Sequence, residues 1–204
     1  MTEDLTAIRD GTRGVYERQA PAWDGLRSHA LFEKGWLDRF VAALPPGGTV
    51  LDVGCATGRP LGLYLMEKGL RVTGVDFAAP MLAIARERFP DCRWIHADMR
   101  TMDLGERFDG VLAWDSFFHL TMAEQRDVIG VLSRHVGETG SLLLTIGHLE
   151  GETTGRVGDG TVYHASLAPD AYRDLLSAEG FGQVDITLQD AECGGHSVLL
   201  AQRR

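Results

Sequence analysis

Val50-Leu51-Asp52-Val53-Gly54-Cys55-Ala56-Thr57-Gly58 reads as a short apolar strand running into a turn of small residues, with a helix beginning just beyond, at Pro60. Glycine at 54 and 58 permits backbone conformations that a side chain forbids. It also lets a ligand lie against the main chain, with the amides at the start of the next helix facing it. Many nucleotide-binding folds share such a loop. The acids that follow narrow the choice: Asp76 ends a second apolar strand (Val72-Thr73-Gly74-Val75-Asp76), and Asp98 ends a third (Trp94-Ile95-His96-Ala97-Asp98).

Outward from that stretch, strand and helix patterns alternate. Strands are expected near 49–55, 71–76, 92–98, 108–114 and 140–147, and helices near 60–68, 79–89, 121–136 and 168–179. Alternation with short connections implies βαβ units, a parallel sheet and right-handed crossovers. Such sheets bind ligands at the carboxyl ends of their strands, near the point where strand order reverses. Gln183 to Gln189 and His196 to Ala201 form two further β segments joined by the short link Asp190 to Gly195. A link that short forces antiparallel pairing, because a parallel crossover needs many more residues. Upstream, residues 3 to 43 read as helical in at least two pieces broken near Pro21. Their apolar face is Tyr16, Trp23, Leu26, Leu31, Phe32, Trp36, Leu37 and Phe40. Trp36, Leu37 and Phe40 are expected to cover one face of the sheet.

With these points in place, the sequence resembles the class I S-adenosylmethionine-dependent methyltransferases from about Tyr16 to its end. Their first motif, an acid followed by Gly-x-Gly-x-Gly, is met by Asp52, Gly54, Ala56 and Gly58; Ala56 departs from the central glycine. The resemblance implies an α/β fold: a Rossmann-like three-layer sandwich whose seven-stranded, mostly parallel sheet ends in an antiparallel C-terminal hairpin strand. It implies S-adenosylmethionine as cofactor and S-adenosylhomocysteine as product. Asp52 would stand near the amino group of the methionine moiety, beside the turn of Gly54, Cys55, Ala56 and Gly58. Asp76 would hold the ribose hydroxyls. Asp98 would receive the adenine amine, with Phe77 and Met99 on the ring faces, and Trp114 would lie near the methionine end. The resemblance also makes the N-terminal helix a lid, in which Tyr16 and Trp23 can face the sulfonium, since aromatic faces attract cations.

The bulk properties exclude several classes. At 204 residues the chain fits one domain with a full core, here divided as a helical lid or cover over 1–45 and a Rossmann-like core over 46–204. Its formal charge of −9 and scattered basic residues argue against a nucleic-acid partner, which needs a concentrated positive face. No apolar run is long enough to span a bilayer. The acidic Met1-Thr2-Glu3-Asp4 lacks the basic and apolar regions of a signal peptide. Cys55, Cys92 and Cys193 are odd in number and far apart, so a reducing cytoplasm is expected, without disulfides or zinc.

Candidate chemistry concentrates at two places. The segment Phe108 to Leu120 is the fourth strand and its exit, where Trp114, Asp115, Ser116, Phe117, Phe118 and His119 combine apolar walls with a few polar groups, as an orienting pocket requires. Asp115 is a candidate for binding the acceptor or the cofactor's ammonium. His119 is a candidate base, more readily explained as support for the start of the next helix. Tyr163 and His164 follow the glycine-rich excursion Gly147 to Gly160, expected to be a surface loop across the site. They are pocket candidates, with a surface strand and a capping Ser166 as the plainer alternative. His148 has similar standing, His196 is expected to be structural, His29 and His135 are expected to be solvated, and no cluster has metal-ligand spacing. The expected activity is in-line methyl transfer to a small-molecule acceptor, with no nucleic acid or membrane partner. The alternatives are a cofactor-binding protein without catalysis, which the polar residues of the 115–119 exit disfavour, and a nicotinamide-dependent oxidoreductase, which the terminal hairpin disfavours.

Overall fold

The structure, a computed structural model, describes residues 4–28 and 30–203. His29 lies outside them, as does the Leu26 side chain. Among the described residues nine strands form two sheets. The main sheet has seven strands in the order β3-β2-β1-β4-β5-β9-β8. These are β1 (Thr49–Val53), β2 (Arg71–Asp76), β3 (Arg93–His96), β4 (Phe108–Ala113), β5 (Val136–Ile146), β8 (Phe181–Asp190) and β9 (His196–Arg203). Strands β1 to β5 run parallel, and β9 inserts antiparallel between β5 and β8.

Alternation along the strands builds two cores. Leu51, Val111, Ala113, Leu142, Leu144, Leu199 and Ala201 point to one face, where α6 (Met122–His135) and α7 (Pro169–Ala178) bury Ile129, Leu132, Tyr172 and Leu176. Their strand neighbours Val50, Leu112, Leu143, Val198 and Leu200 point to the other face. There they meet α3 (Lys34–Ala42) through the buried Trp36, Leu37 and Phe40, and α4 (Leu61–Glu67) through Leu61 and Leu65. Helix α5 (Ala79–Arg88) covers the β2–β3 end of that face, with Leu82 and Ala85 packed on Trp94 and Cys55. Three layers result because the central strands are apolar on both sides.

The chain before α3 forms α1 (Leu5–Gln19), a 3-10 turn at Ala20–Ala22 that contains Pro21, and the single turn α2 (Trp23–Leu26). Helix α1 packs on the second sheet. That sheet is an antiparallel ribbon of β6 (Gly151–Val157) and β7 (Gly160–Ser166), closed by the two-residue turn Gly158–Asp159. The Tyr163 amide donates to Thr12 Oγ1 at 3.0 Å, and Gln19 Nε2 donates to Asp159 Oδ1 at 2.6 Å. The Gly147–Gly160 stretch is therefore half of a ribbon and not an irregular loop: β-branched Thr153, Thr154 and Val157 sustain a ladder that the glycines alone do not advertise. A buried polar network anchors its base. Gln125 Nε2 donates to Ala165 O at 2.8 Å, and the Tyr172 hydroxyl donates to Gln125 Oε1 at 2.6 Å. Ser166 belongs to that network and does not cap α7, whose N-cap is Ala168. His135 is also buried: its Nε2 accepts the Leu104 amide at 3.1 Å, against the expectation that it is solvated.

Candidate functional site

Strand order runs outward from β1 through β2 to β3, then returns to β4 on the other side of β1. The carboxyl ends of β1 and β4 therefore flank the crevice where such sheets bind ligands. A cleft of about 620 Å³, counting its open mouth, lies there. Its floor is Asp52, Gly54, Cys55 and Ala56 from β1 and Asp76 and Phe77 from β2. Trp114, Asp115, Ser116 and His119 from the β4 exit form a wall, and Tyr16, Trp23 and Arg27 close it from above.

The turn after β1 is shaped by close contacts. A Cβ on Gly54, whose φ is +82°, would stand 2.3 Å from Ser116 Cβ. That approach is fixed by the Ser116 hydroxyl, which donates to Val53 O at 2.7 Å. Gly58, at φ +76°, faces Trp94 and Phe89 and lies off the cleft, so its part is to let α5 and β3 pack. Ala56 also has a positive φ, 47°, a conformation that costs a non-glycine residue about 1–2 kcal/mol. Its amide donates to Asp76 Oδ2 at 2.9 Å, which ties the turn to β2.

The two floor acids differ in a way that bears on ligand binding. Asp76 accepts the Ala78 amide on Oδ1 at 2.8 Å as well as that of Ala56 on Oδ2. Burial raises its pKa, and those amides oppose the rise. Asp52 is 4% exposed and accepts no hydrogen bond among the described residues. Burial, aided by the nearby Asp76, raises its carboxyl to about 7. A buried carboxylate without a partner is costly, and a cation in the cleft would relieve it.

At the other end, His119 ties the cover to the wall. Its Nδ1 lies 2.8 Å from Tyr163 O. A carbonyl only accepts, so Nδ1 carries the proton, and Nε2 accepts the Tyr16 hydroxyl at 2.7 Å. Burial pushes the imidazole down to about 4. This histidine joins α1 to the ribbon. The start of α6 is held instead by a Thr121–Glu124 capping box. Tyr16 also packs edge-on against Phe77 and lies 5.6 Å from Trp23, ring centre to ring centre.

The remaining candidates divide. His164 stands at the end of a partition: its ring is 4.6 Å from Phe118 and 5.0 Å from His119. Beyond the partition a second hollow opens between the β5 exit and the ribbon, lined by Ile146, His148, Glu150, Glu152 and His164. Burial lowers the His164 pKa, partly offset by Asp115. Tyr163, the next residue on β7, points to the opposite face, where its hydroxyl donates to Glu152. It does not reach the first cleft. Neither do Asp98 and Met99: β3 stops at His96, Met99 is in the core, and Asp98 is gripped by Arg100 at 2.6–3.1 Å. Three contributors were not marked by the sequence. Arg27 and Arg59 bring positive charge to the cleft, and Arg59 Nε is buried without a partner. His196 stacks on Trp114, and its Nε2 lies 3.1 Å from Asp115 Oδ1. It gets there because β9 is antiparallel, so its first residue lies at the same sheet edge as the last residues of the parallel strands; the terminal hairpin was the available signal. Among the described residues no cluster of three or more His, Cys, Asp or Glu could hold a metal, and no helix is long and apolar enough to cross a membrane.

Residues 50–140 match a family model described as a methyltransferase domain. That span is similar to a methyltransferase domain. An N,N-dimethyltransferase of dTDP-3-amino-3,6-dideoxy-alpha-D-glucopyranose from Streptomyces fradiae is 38% identical over 123 residues, which are 58% of this chain and 47% of that protein. A probable tRNA methyltransferase 9B from mouse is 27% identical over 140 residues, 67% of this chain and 29% of that one. The chain spans less than half the length of the curated relatives it matches first. Its fold is shared with CalS10 from Micromonospora echinaspora, an amino pentose methyltransferase solved with S-adenosylmethionine bound. The two agree with a TM-score of 0.70 at 24% identity, over 92% of this chain and 96% of that one.

Proposed function

We propose that this methyltransferase domain binds S-adenosylmethionine in the cleft between β1 and β4 and methylates a small-molecule acceptor, with an amine nitrogen favoured over oxygen or carbon. The observation that carries the proposal is the buried acid pair. Asp52 lacks a partner where the ammonium of an amino acid would lie, and Asp76, fixed by backbone amides at the end of β2, lines the cleft where two vicinal hydroxyls would lie. The cofactor, when bound, supplies a methyl group on a cationic sulfur. The chain's own residues bind and orient it: Phe77 offers an apolar face to the adenine, Arg59 an unpartnered Nε to the carboxylate, and Tyr16, Trp23 and Trp114 an aromatic surround for the sulfonium. No covalent catalysis is required, because holding donor and acceptor in line supplies much of the rate. His119 is a poor base, since Tyr16 occupies its Nε2 and burial lowers its pKa. His164 is neutral near pH 7, its ring nitrogens make no hydrogen bond among the described residues, and it borders the second hollow, from which the acceptor enters. Glu150 lines that hollow, which suits a cationic or hydroxylated acceptor.

The amine preference draws on the amino-sugar relatives as well as on that acidity. The tRNA-type relative raises a nucleic-acid acceptor, and the net charge of −9 weighs against it. Calorimetry of the chain with S-adenosylmethionine, S-adenosylhomocysteine and NAD tests the cofactor assignment. Binding of the sulfur compounds and not NAD is expected; the reverse would overturn it. Release of S-adenosylhomocysteine in the presence of nucleotide-linked amino sugars, simple amines, phenols or tRNA then sorts the acceptors. Turnover on tRNA alone would overturn the small-molecule assignment.

A further inference from the structure

His196 carries a constraint that the cofactor site does not explain. Its Nδ1 lies 2.9 Å from Cys193 O, and since a carbonyl only accepts, Nδ1 bears a proton. A neutral ring would then leave Nε2 unprotonated 3.1 Å from Asp115 Oδ1, with two electron-rich atoms in close approach. A second proton on the ring removes the conflict. The ring is clamped in this pose, stacked 5.7 Å from Trp114 on one side and 5.2 Å from Phe32 on the other, both centre to centre.

Asp115 is itself held in an unusual pose. Its φ is +50°, and its amide donates to Thr145 Oγ1 at 2.7 Å. A non-glycine residue kept in the left-handed region persists only where its surroundings impose it, and such residues gather at functional sites. Asp115 Oδ1 is buried and is charge-paired with His196 without an aligned hydrogen bond. Asp115 lines the first cleft from its β4 wall. It opens the same exit segment as Phe118 and His119, whose rings lie 4.6 Å and 5.0 Å from that of His164, centre to centre, so this wall leads to the second hollow.

Resting on the methyltransferase proposal above, we infer that His196 is a positioning residue: as an imidazolium it is the counter-ion that orients the Asp115 side chain at the acceptor end, where its carboxylate receives the N–H of an amine. The groups facing the ring are Asp115 from the β4 exit, Arg27 from the segment after α2 and Cys193 from the β8–β9 link. Asp115 raises its pKa most, burial and Arg27 oppose, and the Cys193 carbonyl adds to the rise. Asp190, at the start of the link, is turned to Trp36 and the Glu192 amide.

Nuclear magnetic resonance of the imidazole nitrogens in the full chain tests the pair without any acceptor. The His196 ring should carry protons on both nitrogens at pH 7 and titrate above the ordinary imidazole range, and Asp115→Asn should move its midpoint down. A ring found neutral at pH 7, or a midpoint indifferent to Asp115→Asn, would overturn the inference. His196→Gln should leave S-adenosylhomocysteine affinity within about twofold. With the amine acceptor that turns over, it should lower kcat roughly tenfold or more and displace the acidic limb of the pH profile. A structural role alone would lower the unfolding midpoint and leave the profile's shape unchanged, which also overturns the inference. A wild-type chain that binds no S-adenosylhomocysteine would sink the proposed function while leaving the titration of the pair to stand or fall by itself.

Discussion

Replacing Asp52 with Asn separates the cost of a buried acid from its use. In the folded chain the carboxyl is raised to about 7 from an ordinary 3.8. The folded state thus holds a proton that the unfolded chain releases between those values, and stability falls as pH rises through that window. At about 1.4 kcal/mol per pKa unit, three units cost about 4 kcal/mol above pH 7, and the cost shrinks to about 1.5 kcal/mol at pH 5. Asn carries no charge, so Asp52→Asn is expected to be more stable than wild type at pH 8, with the gap narrowing towards pH 5. A bound ammonium reverses the sign. It favours the ionised form, typically lowering a neighbouring carboxyl by about 1–3 units, so ligand binding below pH 7 must expel about one proton. Wild-type affinity for S-adenosylhomocysteine should therefore rise about tenfold from pH 6 to pH 8, and Asp52→Asn should lose that dependence and bind more weakly at pH 8. Calorimetry in buffers of different ionisation enthalpy counts the proton, and denaturant melts at pH 5 and pH 8 read the stability. A wild-type affinity flat across this range, with Asp52→Asn no more stable at pH 8, would refute the placement of an ammonium against this acid.

Other substitutions address single contacts. Gly54→Ala places a methyl group against Ser116 and forces alanine to positive φ, so a loss of about 2–4 kcal/mol is expected in denaturant melts; adding Ser116→Gly should recover the steric part, and no recovery would show that the clash is not the cause. Tyr16→Phe removes the hydrogen bond to His119, worth about 1 kcal/mol, and should speed proteolytic cutting of α1 without shifting the global unfolding midpoint by more than a few degrees; unchanged cutting would mean that α1 is held elsewhere. Tyr163→Phe should leave kcat within about twofold while lowering stability by about 1 kcal/mol, because its hydroxyl serves Glu152 away from the cleft; a large loss of turnover would return Tyr163 to the acceptor site.

What the sequence disclosed and what it concealed follow from range. The strand ends that carry Asp52, Asp76 and Asp115 were legible because a parallel sheet delivers all its carboxyl ends to one edge, whatever the details of packing. Asp98 was misplaced because β3 ends two residues earlier than its apolar pattern suggested, and because an Arg100 two positions on claims its oxygens. Tyr163 and His164 were paired as pocket residues on the expectation of a loop. Once the segment is a strand, alternation sends neighbours to opposite faces, and only one of the two can border the partition. His119 was given to the helix that follows it, but its partners come from residues 16 and 163, contacts that no local pattern encodes. Phe77, Cys55 and Ala56 needed only the turn itself and its neighbouring strand end.

Helix α1 and the β6–β7 ribbon are fastened to one another through Thr12, Tyr163, Gln19 and Asp159, and His119 adds a tie from the wall beneath. The seven-stranded sheet is complete without either piece. Whatever admits a ligand must accordingly swing helix and ribbon together or break the seam between them, and those two routes predict different relaxation kinetics: one shared rate for probes on residues 10 and 156, or two. The same arrangement separates two histories within one chain. Substitutions on the ribbon can retune which acceptor is accommodated while the floor that holds the donor stays fixed, so change in what is methylated need not disturb how the methyl is supplied.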